Sequence, residues 1–158
     1  MASLRQALVS SAVLTLGIET SMVEKTVGRY AGALQADVKV PFTYVVVHGS
    51  DPTRRTGEQK AYTRTLQLQG MIFETSHIEV EGFHLSFTES SFGRNYLEIV
   101  LDLGKRWPPV EVTGQVEWYE RRPTPQGYTF IVGISFVDIQ ADAQTIIRDY
   151  LKFIHGMK

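Results

Sequence analysis

The sequence contains no cysteine, which excludes disulfide frameworks, thiolate metal sites and cysteine nucleophiles and fits a reducing, cytoplasmic compartment. Net charge is also nearly absent, because 16 Lys and Arg stand against 17 Asp and Glu, a formal charge of -1. No bulk field therefore draws the chain to a phosphate backbone or an anionic membrane. The only candidate targeting segment is the start, where Arg5 precedes the mostly apolar run Ala7 to Ile18. It is too short to span a bilayer, Ser10 and Ser11 interrupt it, and no small-x-small cleavage pattern follows directly. It reads as an amphipathic helix rather than a signal or an anchor. The histidines, His48, His77, His84 and His155, are scattered, and none has a partner at the i, i+4 spacing of a helical zinc site. No Gly-x-x-x-x-Gly-Lys phosphate loop, internal repeat or low-complexity tract is present. What remains is a chain without metal, cofactor, nucleic-acid partner or membrane insertion.

Its 158 residues suffice for one core without staples. Apolar spacing divides the chain near Asp37, giving a helical N-terminal extension over 1–36 and a mainly β domain over 37–158. Ser3 with Gln6 forms a capping-box pattern ahead of Leu4, Ala7, Leu8 and Ser11, and this predicts a first helix ending near Gly17. Ser21 with Glu24 repeats the pattern, and Val23, Val27, Tyr30 and Leu34 then make one stripe of a second helix, which Gly28 and Gly32 weaken. This stripe either lies on the domain or is offered to another chain, including a second copy of this one.

From Val38 the period becomes two. Phe42, Tyr44 and Val46 form one inward set, Leu97, Ile99, Leu101 and Leu103 a second, Val112, Gly114, Val116 and Trp118 a third, and Tyr128 to Phe136 a further strand. Shorter strands are predicted near Lys60 to Leu66, Met71 to Thr75 and Phe83 to Phe87, with Arg122 to Gly127 as a turn. Six or seven short antiparallel strands at this spacing indicate a barrel or a sandwich. Near the end, Ala143, Ile146, Ile147, Tyr150, Leu151 and Ile154 trace a broad apolar stripe on a helix that must cover something apolar.

The order of elements and several local sequences resemble a PilZ domain, a bacterial module best known as a cyclic di-GMP receptor. The likeness runs from about Val38 to Ile154. It is carried by Val40-Pro41-Phe42-Thr43-Tyr44-Val45, by Thr63 to Thr75 as the signature turn, by Gly114-Gln115-Val116-Glu117-Trp118, and by Val132-Gly133-Ile134-Ser135-Phe136. The resemblance implies an antiparallel β-barrel closed by the C-terminal helix. In that family the ligand is held by an Arg-x-x-x-Arg motif before the first strand and an Asp/Asn-x-Ser-x-x-Gly motif in the signature turn. Arginine forks pair with guanine edges and phosphates, and the small polar groups bond the guanine. Here the turn reads Thr65-x-Gln67-x-x-Gly70, the arginine positions fall near Ala31 and Gln35, and the nearest upstream arginine is Arg29. Losing two charge-assisted contacts of about 1.5 to 3 kcal/mol each weakens binding roughly a hundredfold or more. Arg54 and Arg55, with Arg64 nearby, are the candidates to replace the missing pair, and with Gln67 and Gly70 they would form a rearranged ligand site. The plainer reading is that a polar hairpin loop carries charge because it is solvated.

No nucleophile stands beside an evident base and orienting group, so no catalytic residue is assigned. Glu79 and Glu81 read as surface acids, and His84 as a satisfied structural histidine. Trp107, in a Pro-rich turn, reads as an exposed recognition group, and Trp118, in phase with Val112 and Val116, as core. The expected function is therefore a non-enzymatic PilZ-like adaptor that binds another bacterial protein, with cyclic di-GMP binding weak or absent. The resemblance implies a process in motility, type IV pili, polarity or envelope regulation. The alternatives are a working cyclic di-GMP receptor with a rearranged site and an enzyme on an unrelated small barrel, such as a flavin-binding one.

Overall fold

The computed structural model describes residues 34–90 and 93–156. Alternating apolar residues produce strands β2 (Pro41–Val47), β3 (Gln59–Gln67), β4 (Gly70–Thr75), β7 (Tyr96–Leu101), β8 (Val110–Thr124) and β9 (Gly127–Val137). All their pairings are antiparallel, in the order β3-β2-β7-β8-β9-β4, and β4 pairs back onto β3. The result is a closed six-stranded barrel, which removes most of the free sheet edge. A short strand β1 (Gln35–Ala36) adds to β3, and β5 (Glu79–Val80) with β6 (Phe83–His84) makes a separate small hairpin.

Both predicted N-terminal helices lie outside the described residues, except where their range ends. There Gln35 and Ala36, assigned from sequence to the extension, pair instead with Gln67 and Leu66 of β3. The inward sets are as the period predicts, except at Trp118. Phe42, Tyr44, Val46, Leu97, Ile99, Leu101, Val112, Val116, Val132 and Ile134 share one core with Leu66, Met71 and Phe73. At its centre Phe42 meets Phe73 edge-on with ring centroids 5.2 Å apart, a favoured aromatic geometry.

Helix α1 (Ala141–Gly156) closes one end of the barrel, with Ala143, Ile147, Tyr150 and Leu151 buried in the same core. Asp142 in its first turn and His155 in its last match the helix dipole. Trp107 corrects its sequence reading: it is half-buried and wedged edge-on against Tyr150 at 5.1 Å and Phe153 at 5.3 Å. The turn that carries it is part of the helix seat.

A second correction concerns Trp118. A β-bulge between Val116 and Trp118 inserts Glu117 as an extra residue, so Val116 pairs with Ile134 but Trp118 pairs with Gly133. The insertion reverses parity. Trp118 is buried, but on the outer face of the wall, in a small cluster with Ile72 and Ile131 that is separate from the barrel interior.

Because Ile147 is fully buried where α1 meets the barrel, Ile147→Ala should lower the unfolding free energy by about 2–5 kcal/mol in urea denaturation. A change below about 1 kcal/mol would mean that α1 does not seal the core.

Candidate functional site

The positions singled out by the signature turn lie at the end of the barrel closed by α1. Gln67 and Gly70 face each other across the two-residue β3–β4 turn, and Gln35 pairs with Gln67 from the other side. The structure therefore brings together Gln35, Thr65, Gln67 and Gly70, while Ala31 and Arg29 lie outside the described residues. Thr65 donates its hydroxyl to Asp37 at 3.0 Å, and His155 Nε2 donates to the Gln35 carbonyl at 2.7 Å.

The glycine has a packing reason. A Cβ on Gly70 would lie 2.2 Å from the carbonyl oxygen of Ile134, so only a residue without a side chain lets β4 run this close to β9. Gly133 is similar, since a Cβ there would lie 2.3 Å from the indole of Trp118. The indole thus rests directly on the β9 backbone beside the turn.

Around Gln67, Gly70, Ile72, Glu117, Trp118 and Gly133 only about 10 Å³ of space remains, room for about one water molecule. Among the described residues that line this space none is cationic. Gln67 Nε2 and Trp118 Nε1 in this lining, and Gln35 Oε1 on the neighbouring strand, are buried without hydrogen-bond partners among the described residues. Among the described residues the lining is amide, indole and the Glu117 carboxylate, with no group to neutralise a phosphate.

Arg54 and Arg55 are elsewhere. They sit on the β2–β3 loop at the opposite end of β3 from Gly70, roughly 25 Å away along the strand at its usual rise. Each guanidinium already has an acid: Arg54 bonds Glu89 at 3.1 Å, and Arg55 grips Glu98 with two bonds of 2.8 and 3.1 Å. Arg64 lies midway on β3, at a register shift, with Glu74 at 3.7 Å. The five residues of the expected rearranged site do not form one cluster.

A different group assembles at the Arg54 end. His48 is buried and its Nε2 donates to Glu89 Oε1 at 2.6 Å, while its Nδ1 accepts the Ser50 backbone N–H at 3.2 Å. Asn95 ties the loops together by donating to the carbonyls of His84 and Phe87 and accepting from Gly49 N–H. Ser50 Oγ stands 3.5 Å from His48 Nδ1, so serine, histidine and glutamate form a chain that sequence spacing did not reveal. The Nδ1 lone pair is already taken by the Ser50 N–H and is not free to accept the hydroxyl proton. The chain organises a turn.

His84 is half-buried, and burial lowers its pKa against the opposing pull of Glu79. Its Nδ1 accepts from the N–H groups of Ser86 and Phe87, the satisfied structural role expected of it. Glu81, at a left-handed φ of 51°, turns away from β5 and accepts from Gly57 N–H. It is not paired with Glu79. Among the described residues no three His, Asp or Glu side chains converge to hold a metal ion, and no helix is long and apolar enough to cross a membrane.

No family model matches the sequence, and neither does any curated protein. Solved structures do. The Escherichia coli YcgR PilZ domain with cyclic di-GMP is similar with a TM-score of 0.50 and 10% identity, over 74% of this chain and 83% of that one. The Bacillus subtilis inhibitor of motility MotI/DgrA gives 0.53 at 10% identity, over 80% of this chain and 52% of that one. MrkH of K. pneumonia gives 0.53 at 14% identity, over 73% and 45%. The chain thus spans about half the length of the last two. Its fold is that of a PilZ domain.

Two measurements test this geometry. Gly133→Ala should cost about 1–3 kcal/mol by overpacking, and in a Trp118→Ala background most of that cost should vanish; an unchanged cost would place the indole elsewhere. Glu89 is held at about 2, against an ordinary 4.5, by the hydrogen bond from His48, by its own backbone N–H and by Arg54. A depressed carboxyl contributes stability above pH 4.5 that is lost as pH falls toward 2. Carboxyl NMR should therefore find the Glu89 midpoint near 2, and Glu89→Gln should flatten the acid limb of the stability profile. A midpoint at the ordinary value would show that the bond to His48 does not persist in solution.

Proposed function

We propose that this chain is a non-enzymatic regulatory adaptor built on the PilZ fold. It acts through protein contacts in bacterial motility, type IV pilus, polarity or envelope regulation, and binds cyclic di-GMP weakly or not at all. The barrel serves as a rigid platform, while the N-terminal extension and the exposed turns recruit the partner. The carrying observation is the indole of Trp118 seated on Gly133, which leaves about 10 Å³ beside Gly70 and no cation among the described residues of the lining. A dinucleotide with two phosphates needs both space and positive charge. The solved neighbours support the process, since one is described as an inhibitor of motility and another holds cyclic di-GMP in a PilZ domain.

Calorimetric titration of the full chain with cyclic di-GMP is expected to give no saturable binding in the sub-micromolar range. Sub-micromolar binding would overturn the reading. If that binding disappeared in Arg54→Ala with Arg55→Ala, it would establish the rearranged receptor in its place.

A further inference from the structure

The barrel wall is notched between β3 and β4. The two strands pair only from Thr63–Phe73 to Gln67–Gly70, so the first half of β3 has β2 on one side and no strand on the other among the described residues. The bond from Thr63 N–H to the Val40 carbonyl, 2.9 Å, sets the phase of the β2–β3 ladder. Gln59 and Ala61 then bond across to β2, and Lys60 and Tyr62 turn their N–H and C=O groups to the open side. These two sets of backbone groups are about 7 Å apart, the two-residue repeat of an extended chain.

A groove of about 730 Å³ follows this edge. Buried Tyr44 and Val80 line it together with exposed Lys39, Lys60 and Tyr62. Its acids are engaged: Asp37 accepts the Thr65 hydroxyl, and Glu74 has Arg64 at 3.7 Å and the Thr129 hydroxyl at 3.0 Å. Its lysines are not neutralised. Neither Lys39 nor Lys60 has a carboxylate partner among the described residues, and the Lys39 ammonium stands over the Tyr62 ring at 4.9 Å.

We propose that this notch receives an extended acidic segment of a partner protein. The segment adds as a short strand to the free edge of β3, with its carboxylates against Lys39 and Lys60. This rests on the adaptor reading in that the partner is a protein. An edge lysine discourages pairing with an arbitrary strand, and the same charge selects an acidic one. A free anion would satisfy the ammonium groups but leave the backbone groups of Lys60 and Tyr62 unanswered.

The test is a titration of the isotope-labelled full chain with an acetylated, amidated octapeptide of alternating Val and Glu, followed by NMR. Saturable shifts and slowed exchange are expected at the Lys60 and Tyr62 amides, with no response to the matching Val–Lys peptide. Lys39→Glu with Lys60→Glu should weaken binding about tenfold or more. Tyr62→Pro, which removes a donor only from the open side, should abolish it while the Ala61 amide stays protected. Shifts located elsewhere, an equal response to the Val–Lys peptide, or the same shifts from sodium glutamate alone would overturn the proposal. If the peptide fails and cyclic di-GMP also does not bind, the notch is refuted and the adaptor reading stands; tight cyclic di-GMP binding refutes that reading instead.

Discussion

The wall closes because β4 folds back onto β3 across a two-residue turn and then runs against β9, where a Cβ on Gly70 would lie 2.2 Å from the Ile134 carbonyl oxygen. The interior depends on that close approach. With β4 in place, Phe73 reaches Phe42 and Tyr44, and the inward residues of six strands become one core that α1 seals. Among the described residues the first half of β3 has no second neighbour, because β4 pairs with it no further than Phe73.

The strands that carry the core were legible in the sequence, because each buries one face only and so alternates with period two. The C-terminal helix was legible for the same reason at its own period. Short elements were not. Gln35 and Ala36 pair over two residues, too few to show any period, and they fall where the preceding helical pattern runs out. The bulge at Glu117 was equally hidden, since an inserted residue leaves the apolar alternation through Trp118 unbroken in the sequence while inverting its direction in space. Trp107 misled for a different reason: proline-flanked turns usually lie on the surface, but this one is pinned by Tyr150 and Phe153 from the helix.

The candidate site was legible in part. The departure from the family motif could be read directly, because it is a matter of which residue stands at which position. The packing beside Gly70 could not, since it depends on the bulge that turns Trp118 outward onto Gly133. Partner assignments were also out of reach. Arg55 looks like a free cation in its loop, yet its carboxylate partner, Glu98, stands 43 residues away, and the His48–Glu89 bond closes over 41. Charge is visible in a sequence; what neutralises it is set by topology.

Alternation also explains how such a barrel can keep its fold while its ligand chemistry changes. Leu66, Met71 and Phe73 point inward and carry the packing energy, whereas Thr65, Gln67 and Ile72 point to the outer face, where exchange of one side chain for another leaves the core untouched. Substitutions at the outer positions spare the barrel interior, although Ile72 packs in the outer cluster with Trp118 and Ile131 and Thr65 holds Asp37. Gly70 is the exception, because the backbone of β9 occupies the place of its side chain. The one motif position retained from the family pattern is the one the barrel itself requires, so its presence is explained by packing and needs no bound nucleotide.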